Sequence, residues 1–221
     1  MKPRALLAEF IGTFALLWVI FLVVYNFTAS PISLFAIAFA VGLTVVCLGT
    51  AFGAISGGHF NPCVTFGLLI AKKIDIRTAV AYWVVQILGG IAGVYVASFL
   101  LGGNASAARL ATSVSRGDGL DLLHAVLAET IAAFLFVLTI LMTAVDKRAP
   151  SNGALYLGFV LTICIMAIGP ISGGAINPAV GVALSLGSSR WENAVSWIAG
   201  PMLGALLAGM VYVGMFERED D

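Results

Sequence analysis

The feature that most constrains the fold of this chain is the placement of its charged residues, which leaves four long uncharged stretches. No Asp, Glu, Lys or Arg lies between Glu9 and Lys72, Arg77 and Arg109, Arg148 and Arg190, or Glu192 and Glu217. Each stretch is longer than the roughly 20 apolar residues that one helix needs to span a bilayer. This spacing predicts a chain built from transmembrane helices.

The composition supports a membrane protein and excludes several classes of function. Hydrophobic residues make up 61% of the 221 residues and charged residues 10%, whereas an ordinary soluble domain has about 45–50% and about 25%. The uncharged stretches and residues 122–145 hold about six spanning helices and leave no length for a soluble enzyme or a DNA-binding module. The formal net charge is zero, with 11 basic and 11 acidic residues, so charge gives no reason to expect a nucleic-acid partner.

Turn and breaker residues divide the apolar stretches into six predicted helices within one transmembrane domain over residues 1–221. The predicted helices are Ala5–Asn26, Ile32–Phe52, Thr78–Leu101, Leu122–Val145, Gly153–Ile168 and Asn193–Phe216. With the N-terminus in the cytoplasm, eight basic residues fall inside and three outside, which satisfies the positive-inside rule. We therefore expect both termini to be cytoplasmic.

The strongest signal is an internal repeat. The segment from Ile55 to Val64 recurs as Ile171 to Val180, and both copies share Ile-Ser-Gly-Gly followed by Asn-Pro. The repeat places one half at about residues 1–101 and the other at about 122–221. Since each half holds three spans, an odd number, the second half inserts upside-down relative to the first. Inverted repeats with Gly- and Pro-interrupted apolar segments are typical of membrane transport sites.

The segment after each Asn-Pro is too short to span a bilayer. Pro62–Ala71 and Pro178–Gly187 give helices of about 15 Å, or half a bilayer. An Asn at the cap followed by Pro predicts a helix start, and the Gly-rich segment before it predicts extended backbone lining a cavity. The two half-helices are expected to meet near the midplane, with their positive dipole ends at Asn61 and Asn177.

With these motifs the sequence resembles the aquaporin and glycerol-facilitator family over its whole length. The resemblance rests on six spans in two inverted halves, the motif Ser56–Thr65, its partial repeat at Asn177–Ala179, and the carboxylates Glu9 and Glu129. One departure is Cys63, which stands where the family usually has Ala. The resemblance implies an all-α, right-handed bundle of six transmembrane helices plus two half-helices. It also implies a homotetramer in which each subunit has its own pore.

We expect the two Asn-Pro motifs to form the centre of a pore. These motifs comprise Asn61, Pro62, Cys63, Asn177, Pro178 and Ala179. Each asparagine side chain is able to cap its own half-helix through its oxygen and to donate an N–H to a passing oxygen. Backbone carbonyls along one wall would supply the acceptors, and glycine permits that close approach. The residues predicted to supply these carbonyls are Gly57, Gly58, His59, Gly173, Gly174 and Ala175.

Glu9 and Glu129 are ionisable groups inside spans, where such groups are costly and usually functional. We interpret each as a carboxylate that accepts N–H bonds from the non-helical loop of its own half, a role that the resemblance supports. The alternative is a proton relay, which would make the protein a proton-coupled small-solute transporter. We interpret His59 as a hydrogen-bonding residue rather than a metal ligand, and the sequence predicts no metal site and no cofactor.

The resemblance also implies an outer constriction, where this sequence departs furthest from the family. Counted from the two asparagines, the four positions are Val41, Ile165, Gly174 and Val180. Val180 occupies the place where the family has Arg, so no side chain at the constriction donates a hydrogen bond. The constriction should be wider and more apolar than a water filter, unless a residue of the loop Leu101–Asp121 fills it.

The sequence therefore predicts a passive channel in a lipid bilayer, which we expect to be the cell (inner) membrane, and not an enzyme. Water and small neutral solutes are the expected permeants, with glycerol, urea, ammonia and metalloid hydroxides all left open. A membrane scaffold that has lost its filter is a further alternative. No nucleophile–base pair or metal-ligand cluster stands out to support an enzyme.

Overall fold

The structure is a computed structural model that describes residues 2–27, 30, 32–103 and 121–216. Within these residues the chain forms eight α-helices, two of which continue as single π-helical turns at Leu141–Val145 and Tyr212–Phe216. The helices are α1 Pro3–Phe27, α2 Ser33–Ser56, α3 Pro62–Ile70, α4 Ile76–Leu100, α5 Leu122–Ile140, α6 Gly153–Ser172, α7 Pro178–Ser188 and α8 Ala194–Val211.

Six of these helices are long and apolar enough to cross a membrane, and α3 and α7 are the two short ones. The predicted number and order of helices are confirmed. Two predicted ends were wrong, because α2 runs on to Ser56 and α6 runs on to Ser172. Each of these helices ends at a glycine in the left-handed conformation, Gly57 at φ 92° and Gly173 at φ 95°, which is a common way for a helix to stop.

The expectation of extended backbone before each asparagine also needs correction. The non-helical segments cover only residues 57–61 and 173–177. Within them Gly58, Gly174, Phe60 and Ile176 all have positive φ values. The segments therefore turn sharply and do not run straight to the half-helices.

The helices pack within and between the two halves. In each half the first and third spanning helices lie against each other, α1 on α4 and α5 on α8, while α2 packs on α6 across the halves. Each half-helix lies on the third spanning helix of the opposite half, α3 on α8 and α7 on α4. This exchange interlocks the halves and brings the N-termini of α3 and α7 into the interior.

Small residues allow the first and third helices to approach closely. A Cβ atom built on Gly93 of α4 would lie 2.4 Å from the carbonyl oxygen of Phe14 in α1. At the equivalent crossing, a Cβ on Gly204 of α8 would lie 2.2 Å from the carbonyl oxygen of Thr130 in α5. Backbone atoms have little freedom to move away, so these positions accept only glycine. Small residues at helix crossings are a general device in membrane proteins.

We expect Gly93→Ala to destabilise the fold by about 1–3 kcal/mol, the usual cost of overpacking. The measurement is thermal unfolding in detergent. Gly214→Ala is the matched control, because a Cβ atom there has no neighbour within 4 Å. Equal melting temperatures for the two variants would contradict this description of the crossing.

A polar cluster fixes the connection between α5 and α6 to the end of α8. Asp146 accepts hydrogen bonds from Arg148 Nε at 2.8 Å and Nη2 at 3.0 Å, and from the Tyr212 hydroxyl at 3.0 Å. The bonds from Arg148 hold the pKa of the Asp146 carboxyl well below its usual range. Arg148 also donates to the carbonyl of Phe216 at 2.9 Å. The connection is therefore held to the end of α8 and the π-helical turn after it through both Asp146 and Arg148.

Candidate functional site

The two half-helices begin in the same way, and local chemistry explains why. Asn61 and Asn177 have extended backbone and stand before a proline at the first helical position. The Oδ1 atom of Asn61 accepts the N–H of Cys63 at 2.9 Å, and the Oδ1 atom of Asn177 accepts the N–H of Ala179 at 2.9 Å. Each asparagine thus caps its own helix, where proline removes one of the unpaired N–H groups.

The structure brings the two asparagines together through bonds that cross between the halves. Asn61 Nδ2 donates to the carbonyl of Ile176 at 2.9 Å, and Asn177 Nδ2 donates to the carbonyl of Phe60 at 3.1 Å. Cys63 Sγ also donates to the Ile176 carbonyl, at 3.4 Å. Because an amide nitrogen carries two N–H groups, each asparagine keeps one N–H beyond its bond to the opposite loop.

Glu9 lies fully buried in α1 beneath the first non-helical segment. Its Oε1 atom accepts the Ser56 hydroxyl at 2.6 Å and the His59 N–H at 3.0 Å. Its Oε2 atom accepts the Phe60 N–H at 2.7 Å and Gln86 Nε2 at 2.8 Å. These four bonds hold the loop before α3 in position.

Glu129 has the same place in the second half. Its Oε1 atom accepts the Ser172 hydroxyl at 2.7 Å and the Ala175 N–H at 2.9 Å, and its Oε2 atom accepts the Ile176 N–H at 2.7 Å. Ile176 has a φ of 49°, an unfavourable conformation for a β-branched residue. The bonds from the N–H groups of Ala175 and Ile176 to the carboxylate offset that cost.

Two internal cavities meet at this point. The larger, of about 210 Å³, is lined by both asparagines and by apolar side chains from α1, α2, α5, α6 and α7. The smaller, of about 200 Å³, lies against α2, α3, α5 and α6. Both cavities are lined by Gly58, His59, Ile140 and Leu157, so these four residues form the junction between them.

The residues predicted from the sequence fall into three groups in this arrangement. The larger cavity is lined by all four predicted constriction residues and by most of the residues predicted to supply carbonyls: Val41, Ile165, Gly174, Val180, Gly58, His59, Gly173 and Ala175. Gly57 lines only the smaller cavity. Pro62, Cys63, Pro178 and Ala179 are buried in the packing behind the asparagines and line neither cavity. The alternative was that a residue of the loop Leu101–Asp121 fills the constriction, and residues 104–120 of that loop lie outside the described residues.

Several residues of the site were missed by sequence reasoning. Gln86 is fully buried in α4 and donates to both Glu9 and Thr65. Trp197 lines the larger cavity and donates its indole N–H to the Ser172 carbonyl at 2.6 Å. A glutamine inside an otherwise apolar span was the one available signal for Gln86. Ile140 and Leu157 gave no signal, since they resemble any core residue.

The fold and this pair of opposed half-helices define an integral membrane protein of a known class. The family model described as major intrinsic protein matches residues 2–212. Aquaporin TIP2-1 of Arabidopsis thaliana is 37% identical, over 96% of this chain and 87% of its own. Aquaporin PIP1-6 of Zea mays is 34% identical, over 95% of this chain and 75% of its own.

A solved structure shares the fold of this chain. The X-ray structure of the aquaglyceroporin from Plasmodium falciparum superposes with a TM-score of 0.82 at 23% identity, covering 98% of this chain and 97% of that one. This likeness confirms the predicted fold class. The chain belongs to the major intrinsic protein family.

Proposed function

We propose that this chain is a passive channel that conducts water and small uncharged solutes through the two cavities. The observation that carries the proposal is the meeting of two half-helix N-termini, capped by Asn61 and Asn177, on a cavity whose other lining side chains are apolar except for His59. Among the described residues that line the two cavities, none is Asp, Glu, Lys or Arg. The relatives bear the name aquaporin, and channels of this family are not enzymes.

The polar groups at the centre suit a neutral permeant. The second N–H of each asparagine is available to donate to an oxygen, and the positive ends of the two helix dipoles converge there. Most backbone N–H groups before each asparagine are already bonded, to Glu9 or Glu129 and to a serine hydroxyl. The carbonyls of Phe60 and Ile176 accept hydrogen bonds from the asparagines. The other carbonyls of these segments, from residues 57–59 and 173–175, are therefore the groups proposed to face the permeant. The converging dipoles oppose entry of protons and cations.

We propose that Val41, Ile165, Gly174 and Val180 form the outer constriction. All four line the larger cavity, and their side chains carry no hydrogen-bonding group. An arginine at this place would hydrogen-bond to the solute and narrow the pore, and these four residues do neither. It therefore suits uncharged solutes larger than water, of which glycerol, urea, ammonia and metalloid hydroxides remain candidates.

The carboxylates support a channel and not a proton-coupled transporter. Glu9 accepts four hydrogen bonds and Glu129 accepts three, and all but the bond from Gln86 to Glu9 come from the non-helical segments or from the serine that precedes them. Neither residue lines a described cavity. We propose that both are loop-holding carboxylates.

The test is stopped-flow light scattering of proteoliposomes under separate gradients of water, glycerol and urea. We expect permeability to water and to at least one of the two solutes well above that of protein-free vesicles. Permeability to water alone would overturn the proposed constriction and leave the channel intact. No protein-dependent flux of any kind would favour a scaffold that has kept the fold.

The proposed oligomeric state rests on the likeness to the family, and the proposed orientation in the membrane rests on the distribution of basic residues. We propose a homotetramer with one pore in each subunit, embedded in the cell (inner) membrane with both termini cytoplasmic. Apolar side chains such as Phe35, Leu127 and Phe99 are exposed on the isolated chain and suit lipid or a neighbouring subunit. Cross-linking in mild detergent tests the assembly, and a pattern that stops at the monomer would contradict it.

A further inference from the structure

The Thr65 hydroxyl lies at the centre of a buried network that reaches the junction of the two cavities. Three polar atoms surround its Oγ1 atom: Gln86 Nε2 at 3.0 Å, His59 Nδ1 at 3.0 Å and the Asn61 carbonyl oxygen at 3.2 Å. A hydroxyl has one proton and two lone pairs. The proton and the two lone pairs of the hydroxyl must therefore be matched one to one with these three neighbouring atoms.

Glu9 fixes the first assignment. Gln86 Nε2 lies 2.8 Å from the Oε2 atom of Glu9 as well as 3.0 Å from Thr65 Oγ1. Its two N–H groups serve these two oxygens. Turning the amide around would place the Gln86 carbonyl oxygen against a carboxylate oxygen, which is repulsive. Gln86 therefore donates to Thr65, and one lone pair of the hydroxyl is used.

The Asn61 carbonyl fixes the second assignment. A carbonyl oxygen only accepts hydrogen bonds, so the proton of the Thr65 hydroxyl must point toward it if that contact is to be attractive. The remaining lone pair then faces His59 Nδ1. All three contacts are attractive only when Nδ1 carries the imidazole proton.

The opposite ring nitrogen is left without a hydrogen-bond partner among the described residues. Within the part of the chain that the structure describes, no donor or acceptor bonds Nε2 of His59, although His59 is one of the residues that line both cavities. Gly57 leaves space for this nitrogen, since a Cβ atom there would lie 2.9 Å from it. With the proton on Nδ1, Nε2 presents a lone pair.

We infer that Gln86 and Thr65 are positioning residues that set the tautomer of His59, so that Nε2 accepts a hydrogen bond from the permeant as it passes between the cavities. This inference rests on the proposed channel function. It adds a side-chain acceptor to the two asparagine donors nearby. Water crossing the junction donates to His59 and accepts from Asn61 or Asn177, which orients it.

The ¹⁵N spectrum of histidine-labelled protein in bilayers reads the tautomer directly, because a protonated and an unprotonated ring nitrogen have different chemical shifts. The chain has two histidines, so His124→Asn leaves His59 as the single labelled ring. We expect Nδ1 to be protonated and Nε2 unprotonated. A proton on Nε2, or on both nitrogens, would overturn the inference.

Thr65→Val tests the positioning role, because it removes the hydroxyl and keeps the shape. We expect the His59 proton to move to Nε2 and water permeability to fall about threefold, in line with the loss of one hydrogen bond. Thr65→Ser should restore both readings. Thr139→Val is the matched control, since that exposed hydroxyl bonds only the Leu135 carbonyl one turn before it.

The two readings separate the inference from the function on which it rests. An unchanged tautomer in Thr65→Val would overturn the role of Thr65. A changed tautomer with unchanged water permeability would overturn the role of Nε2 in conduction. Wild-type protein with the expected tautomer and no water permeability would overturn the proposed channel while supporting the network.

Discussion

Glu129→Gln is expected to destabilise the fold by about 1.5–3 kcal/mol, the range for a hydrogen bond to a charged group, and to remove most of the conduction. The carboxylate accepts the Ala175 N–H on one oxygen and the Ile176 N–H on the other. Glutamine replaces one of these two accepting oxygens with an NH₂ group, which only donates. In either orientation a buried N–H then faces another N–H, and the loop before α7 loses its fixed shape.

The matched control is Glu192→Gln, the same chemical change at an exposed position. Unfolding in detergent and water permeability of proteoliposomes are the two measurements. We expect Glu192→Gln to behave as wild type in both. A Glu129→Gln protein with wild-type stability and permeability would show that the carboxylate does not hold the loop. Retained stability with loss of pH-driven uptake would instead favour the proton-coupled transporter.

The second large effect is expected from Val180→Arg. Val180 is 5% exposed and lines the larger cavity with Val41 and Ile165. Arginine adds bulk and a strongly hydrated charge to an apolar wall. We expect glycerol and urea permeability to fall to near the level of protein-free vesicles, while water permeability falls much less. Stopped-flow measurements on the same vesicles give the ratio of solute permeability to water permeability.

Val180→Leu separates bulk from charge, because it enlarges the side chain and keeps the wall apolar. We expect it to reduce solute permeability less than arginine does. A Val180→Arg protein with an unchanged ratio of glycerol to water permeability would place the constriction elsewhere. Exclusion of protons should persist in the wild type, since the half-helix dipoles that converge at Asn61 and Asn177 do not depend on Val180.

The architecture was predictable where it depends on local chemistry and length. Asn-Pro gave the starts of α3 and α7 at Pro62 and Pro178 because the cap and the proline act within a few residues. The ends of α2 and α6 were less predictable, because each helix ends at a glycine that takes the left-handed conformation only in the folded structure, Gly57 and Gly173. Pro170 lies inside α6 and does not end it.

The site itself was less predictable because its contacts join distant parts of the chain. The bond from Asn61 to the Ile176 carbonyl spans 115 positions, and the bond from Gln86 to Glu9 spans 77. No spacing or periodicity encodes such pairs. The junction residues Ile140 and Leu157 come from α5 and α6. They differ from other core residues only because they line both cavities.

We propose that permeants cross passively through a pore centred on Asn61 and Asn177. The most direct measurement is water permeability of proteoliposomes with and without an imposed pH gradient, while a dye records internal pH. We predict high water permeability that is the same in both conditions, with no protein-dependent change in internal pH. Water permeability equal to that of protein-free vesicles, or transport that follows the pH gradient, would contradict the account.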